Sequence, residues 1–236
     1  LEKGACLENI NWYISKRRTF NDHADMAAEF PSDDVEAFKH SGQRVFNQYQ
    51  VEELRKNCCK PEWIGDIQGK DVRGKKSLVG IKFYDDKNGN LKIWDMPDIS
   101  QRVANRYLIV VDVGGRSKGA DFSDIFVLDR YWMIYGGVAE VVAEWHGHTD
   151  HDLLAWKAAQ IARFYNDGLL VIESNTMETD NTDGDHTEYI LDKISWEYPN
   201  LYTRTDADKI VEGKATRWGF HVNRSTKPMI INEAVR

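Results

Sequence analysis

Tyr107-Leu108-Ile109-Val110-Val111-Asp112 is the stretch on which the reading of this chain turns. A short, unbroken apolar run that ends on a carboxylate reads as a fully buried strand with a charge at its tip. The same pattern returns in Leu169-Leu170-Val171-Ile172-Glu173. A carboxylate at the end of a buried strand costs solvation free energy unless it is paired or binds a cation. If the two strands are neighbours, Asp112 and Glu173 lie about 5 Å apart across the ladder. Like charges at that spacing call for a compensating cation, and hard divalent ions prefer oxygen ligands. The pair therefore predicts a metal-dependent phosphoryl-transfer site.

Working outward, strands are expected at Ile125–Asp129 and Val138–Trp145, joined by a turn at Gly136-Gly137. A helix capped by Thr149 or Asp150 runs to Asn166, with Leu153, Leu154, Ala158, Ile161 and Phe164 at helical spacing, and Gly168 ends it. A helix from about Thr187 to Glu197 follows, then strands near Leu201–Arg204 and Trp218–Val222. Short connections make the first three strands of this region antiparallel. The long helix then allows the fourth to run parallel to one of them. This order predicts an α/β fold: a ribonuclease H-like mixed sheet flanked by helices.

Upstream, residues 1–60 read as a mostly helical leader, with helices expected over Asn9–Arg18, Asp22–Ala28, Pro31–Ser41 and Gln48–Lys56. Residues 61–101 read as a glycine- and lysine-rich connector followed by a β-hairpin. Its strands, Val79–Tyr84 and Leu91–Trp94, flank the Asn88-Gly89 turn signal. Residues 102–236 form the expected nuclease domain, and the chain is expected to be part of a longer one, because Leu1-Glu2-Lys3-Gly4 is neither a signal peptide nor an initiator methionine.

Composition narrows the function classes. The chain has 236 residues, 42% hydrophobic and 29% charged, which is ordinary for a globular protein. The net charge of −7 does not favour a generic DNA-binding domain, although a bound metal ion would add positive charge locally. Cys6, Cys58 and Cys59 have neither zinc spacing nor a disulfide framework, and read as reduced thiols. No apolar stretch approaches the roughly 20 residues of a membrane span, so no membrane partner is expected.

Several further groups carry weaker signals. Asp121 and Asp124, before the second strand, are each placed to approach an ion held by Asp112. Arg116 and Lys118 in the loop after Asp112, and Arg224 and Lys227 after the last strand, are candidate phosphate contacts. Glu178, Asp180, Asp183 and Asp185 read as a solvated flap, because their spacing does not match a calcium loop. Gly69–Lys76 fits a phosphate loop up to its lysine, but Lys76 stands where Ser or Thr is needed and a strand follows rather than a helix. No nucleotide is expected. His146, His148 and His151 cluster with Asp150 and Asp152 in a segment read as a polar loop.

Taken together, these residues resemble the C-terminal part of the terminase large subunit of tailed bacteriophages. The resemblance is carried by Glu29-Phe30-Pro31-Ser32 with Glu36-Ala37-Phe38 and Ser41-Gly42, and by Val111-Asp112-Val113-Gly114 with Ala120-Asp121-Phe122-Ser123. Ala143-Glu144-Trp145 with Gly147, Tyr165-Asn166 and Ile172-Glu173-Ser174-Asn175 continue it. Tyr198-Pro199 with Leu201-Tyr202, and Gly219-Phe220 with Thr226-Lys227-Pro228, complete it. It implies a Mg²⁺- or Mn²⁺-dependent endonuclease that cuts concatemeric duplex viral DNA, with Asp112 and Glu173 as metal ligands and Asp121 as a further acidic candidate. It also implies an ATPase domain upstream, of which residues 1–60 would be the tail, a small terminase subunit and a portal protein as partners, and the cytoplasm of an infected or lysogenic bacterial host. The family's remaining aspartate lies on a helix beyond the Thr-Lys-Pro segment, and the sequence stops at Arg236 before it.

Three other readings compete. A resolvase or transposase of the same fold would lack the helical leader. Asp112-Val113-Gly114-Gly115 resembles the first phosphate loop of actin-like kinases, but no second glycine-rich loop or adenosine motif follows. A non-catalytic docking module would keep the fold without a complete set of acids.

Overall fold

The computed structural model describes residues 6–20, 26, 29–32, 46, 48–101, 103–115, 121–174, 184–204, 217–224 and 226–235. The chain forms two compact units, one of Leu1–Cys59 with Lys227–Arg236 and one of Lys60–Thr226.

In the first unit, helix α1 spans Leu7–Arg17 and α2 spans Gln48–Lys56. Alpha1 buries none of its residues: Leu7, Trp12 and Ile14 are exposed. Trp12 and Phe20 both meet the Phe30 ring edge-on. The helices expected over 22–28 and 31–41 lie largely or wholly outside the described residues.

The second unit is α/β, built on a mixed seven-stranded sheet flanked by helices. Its strands are β1 (Trp63–Gln68), β2 (Lys82–Asp85), β3 (Leu91–Ile93), β4 (Tyr107–Asp112), β5 (Ser123–Asp129), β6 (Glu140–Gly147) and β7 (Leu169–Ile172). They lie in the order β2-β1-β3-β6-β5-β4-β7. Every pairing is antiparallel except β4 with β7, which is parallel. Helix α3 (His151–Phe164) supplies the crossover that a parallel pair requires. Asp150 stands at its N-cap and Tyr165 at its C-cap.

Helix α4 begins at Gly184, earlier than the sequence predicts, and ends at Glu197. The strands expected near 201–204 and 218–222 are single bridges instead. Leu201 pairs with Leu170, Phe220 with Glu173, and Thr203 with Trp218. Helix α5 (Thr226–Val235) opens with a reciprocal cap, in which Thr226 N–H donates to Asn223 Oδ1 and Asn223 N–H to Thr226 Oγ1.

The expected hairpin does not form. Both of its strands pair with β1, a strand within the segment read as a connector, so β2 and β3 run parallel to each other on either side of it. The turn is present, with Gly89 N–H bonded to Asp86 O, but it crosses over β1. Gly89 presses on Gly65, where a Cβ would stand 2.1 Å from the Gly65 carbonyl oxygen. The Gly69–Lys76 stretch follows β1 and leads into a 3-10 turn at Lys75–Leu78, where the sequence predicts a strand and where a phosphate loop has a helix.

The core lies on one face of the sheet. Ile109, Val111, Ile125, Val127, Ala143, Leu170 and Ile172 are buried together with Leu154, Ala158 and Ile161 of α3 and Leu191 and Ile194 of α4. Gln160, almost fully buried on α3, donates to the carbonyls of Asp71 and Ser77. Lys157 donates to both oxygens of Asp66 and to the Ile67 carbonyl, fastening α3 to β1. Beside β4, Arg106 is clamped between Asp129 and Asp98.

Candidate functional site

Beta4 and β7 are neighbours, with Val111 opposite Ile172 and Glu173 N–H bonded to the Val111 carbonyl at 3.0 Å. Asp112 and Glu173 each follow the last of these paired residues. Side chains alternate faces along a strand. Val111 and Ile172 point into the core, so Asp112 and Glu173 point together to the opposite face.

That register extends across two more strands. Asp112 stands opposite Asp124 on β5, and Asp124 stands opposite His146 on β6. The flanking residues of each, Ser123 and Ile125 around Asp124, Trp145 and Gly147 around His146, face the core side. One row therefore crosses four strands on one face: His146, Asp124, Asp112, Glu173. Asp112 is exposed, and Asp124 and Glu173 are half-buried.

The row is divided electrostatically. Asp124 Oδ1 sits 2.6 Å from His146 Nδ1, which binds that carboxylate to the imidazole. Asp112 and Glu173 form the other adjacent pair in the row, and like charges directly opposite each other on a sheet are destabilising. Oxygen-only ligation by one or two carboxylates, completed by water and substrate phosphate, is the usual pattern for Mg²⁺. The pair fits such an ion in kind and in register. Among the described residues, no three His, Cys, Asp or Glu side chains converge closely enough to hold an ion by themselves.

The loop after Asp112 is held against the start of β5. Gly114 N–H donates to Ser123 Oγ at 3.0 Å, and Gly115 N–H to the Asp121 carbonyl at 3.2 Å. A Cβ on Gly114 would lie 2.3 Å from the Asp121 oxygen and 2.4 Å from the Phe122 oxygen, so only glycine permits this approach. Buried His151, at the start of α3, reaches the Gly114 carbonyl through Nε2 at 3.1 Å.

Asp121 is exposed, precedes β5 and lies outside the row. Arg116 and Lys118 lie outside the described residues, as do Glu178, Asp180 and Asp183, while Asp185 falls on α4. Arg224 is exposed after the Phe220 bridge. Lys227 is exposed on α5, in the other compact unit. His146 stands out only through the pairing of β5 with β6; its signal in the sequence is the alternation that sets it opposite in facing to buried Trp145.

Among the described residues no helix is long and apolar enough to cross a membrane. A scan against models of known protein families finds no match, and a search of curated proteins finds none either.

Proposed function

We propose that this chain is the ribonuclease H-like nuclease region of a phage terminase large subunit, a divalent-metal-dependent phosphodiester hydrolase acting on duplex DNA. The observation that carries the reading is the placement of Asp112 and Glu173 at the ends of adjacent parallel strands, on the same face. The strand order β6-β5-β4-β7 with a helical crossover supports the fold assignment. The sequence motifs quoted above support the family.

Asp112 and Glu173 would hold Mg²⁺ or Mn²⁺, with Asp121 or Asp124 as further acids nearby. A bound ion of this type supplies Lewis-acid polarisation of the phosphodiester and neutralises charge developing on it. The protein's own part is to fix the two carboxylates on rigid strand ends and to anchor the following loop through Gly114. Arg116, Lys118, Arg224 and Lys227 are the proposed DNA-backbone contacts, which position without reading sequence. A small terminase subunit and a portal protein are the proposed partners, in the cytoplasm of an infected bacterial host.

The test is cleavage of linear duplex DNA and of four-way junctions with Mn²⁺, Mg²⁺ or a chelator. Duplex cutting that needs the metal, and that falls at least about 100-fold in Asp112→Asn and Glu173→Gln, is the expected result. Junction-only cutting would move the assignment to a resolvase. No cutting by the unaltered chain, or cutting that survives both substitutions, would overturn the assignment of the site.

A further inference from the structure

Two positions beyond the row, the same sheet face carries the exposed rings of Phe122 and His148, which meet that of His146 in the row itself. Ser123 pairs with Gly147 and Asp124 with His146, so the register sets Phe122 opposite His148 and diagonal to His146. The rings are in contact as that register requires. The Phe122 centroid is 4.0 Å from that of His148, with the planes 28° apart. It is 4.5 Å from that of His146, at 31°. Phe122 is nevertheless 49% exposed. Residues distant in sequence are thus gathered into a stack that the core does not use.

The stack is also pre-set. Asp124 holds His146 Nδ1, which fixes that ring against rotation. Gly114 packs on the backbone of Asp121 and Phe122 and fixes the start of β5. Rigid flat rings beside a wet surface are what stacks on a nucleobase, at low entropic cost and with little preference for sequence.

We propose that Phe122, with His146 and His148, seats an unpaired nucleobase of the strand that enters the site, so that the substrate is frayed or single-stranded beside the point of cleavage. This rests on the nuclease reading for its biological sense. The rings select the ligand: the stacked faces of Phe122, His146 and His148 match a flat base, while the Asp124 carboxylate beside them disfavours a phosphate at the stack itself. The distance is also suitable. His146 lies two strands from Asp112, about 10 Å at the usual strand spacing. That is about three steps of a stacked strand at about 3.4 Å each. The base seated on the stack would therefore lie a few nucleotides from the phosphodiester held at Asp112 and Glu173.

Binding is measured in chelator, so that no cleavage intervenes. The probe is a short single-stranded oligonucleotide carrying one fluorescent adenine analogue, compared with its blunt duplex and with the same strand abasic at that position. The expected result is quenching of the analogue by the unaltered chain. Affinity should fall between about 5- and 100-fold in Phe122→Leu, which keeps an apolar side chain but removes the π face, and recover in Phe122→Trp. Trp196→Ala, at an 81% exposed aromatic on α4, serves as the control and should bind normally. Equal binding by the unaltered chain and Phe122→Leu, or equal affinity for the abasic strand, would overturn the stacking site. A chain that cuts DNA with Mn²⁺ but gives those results loses the stacking site alone. A chain that quenches the analogue but cuts nothing keeps the stacking site and loses the nuclease assignment.

Discussion

The two faces of the central sheet follow different rules. On one, Ile109, Val111, Ile125, Val127, Leu170 and Ile172 are fully or almost fully buried beside the alanine-rich side of α3. On the other, Leu108, Val110, Phe126, Leu128 and Val171 are only half-buried, and the same strands carry Asp112, Asp124 and Glu173 there at one edge of the face. The first face holds the molecule together. The second carries charge at little cost to folding, because its carboxylates remain in reach of water. Chemistry and cohesion are thus separated by the single-residue alternation of a strand, and a one-residue slip in register would exchange them.

That contrast is tested most strongly by truncating one side chain on each face. Ile109→Ala, at a fully buried side chain on the core face of β4, should cost about 2–5 kcal/mol in denaturant unfolding. Val110→Ala, on the half-open face of β4, should cost under about 1 kcal/mol. Equal losses would mean that the two faces are covered alike.

A smaller effect is expected where the open face meets its loop. Gly114→Ala forces a methyl against two backbone oxygens and should cost about 1–3 kcal/mol. It should also lower any metal-dependent cleavage, since the loop after Asp112 must shift. Unchanged stability and cleavage would show that the loop relaxes freely.

The smallest effect concerns the Arg106 clamp, at the end of β4 opposite Asp112. Hydrogen bonds from Ser100, and then from Arg106, hold the Asp98 carboxyl at about 2, below its ordinary 3.8. A depressed carboxyl stabilises the fold above its unfolded value, and that contribution is lost as pH falls from about 4 towards 2. Asp98→Asn should lower stability modestly at neutral pH and flatten the acid limb in that window, so that the two profiles converge towards pH 2. A profile identical to that of the unaltered chain would remove Asp98 from the acid response.

How much of this was legible depended on where each signal resides. Beta4 and β7 could be read because their apolar runs are continuous, and α3 because its apolar residues repeat at helical spacing between Asp150 and Gly168. Connection lengths left the fourth strand of this region parallel to one of the first three; that its partner is β4, which makes Asp112 and Glu173 neighbours, comes from the pairing itself. Beta1 was hidden, because Trp63-Ile64-Gly65-Asp66-Ile67-Gln68 breaks its pattern with a glycine and an aspartate. Both have tertiary causes: Gly65 admits Gly89 of the crossing turn, and Asp66 binds Lys157 from α3. The Asn88-Gly89 turn was real, yet it does not join paired strands. Beta5 begins at Ser123, two residues before the predicted start, which brings Asp124 into the row opposite Asp112 and leaves Asp121 in the preceding loop. The apolar runs also predicted strands buried on both faces, whereas β4 alternates. The ring stack on Phe122 could not be read locally, since it exists only through β5–β6 pairing.

The insertion of β1 between β2 and β3 has a mechanical consequence. The sheet comprises two sequence-local triplets, residues 63–93 and 107–147, each antiparallel throughout, with β7 added parallel to β4 at the edge of the second. They are stitched by one short ladder, Leu91–Ile93 against Ala143–Trp145, and braced from the side by Lys157 on Asp66. Under load or in mild denaturant, this seam is the natural parting line. Its opening would detach the outer triplet while the half-sheet bearing the acidic row keeps its own ladders.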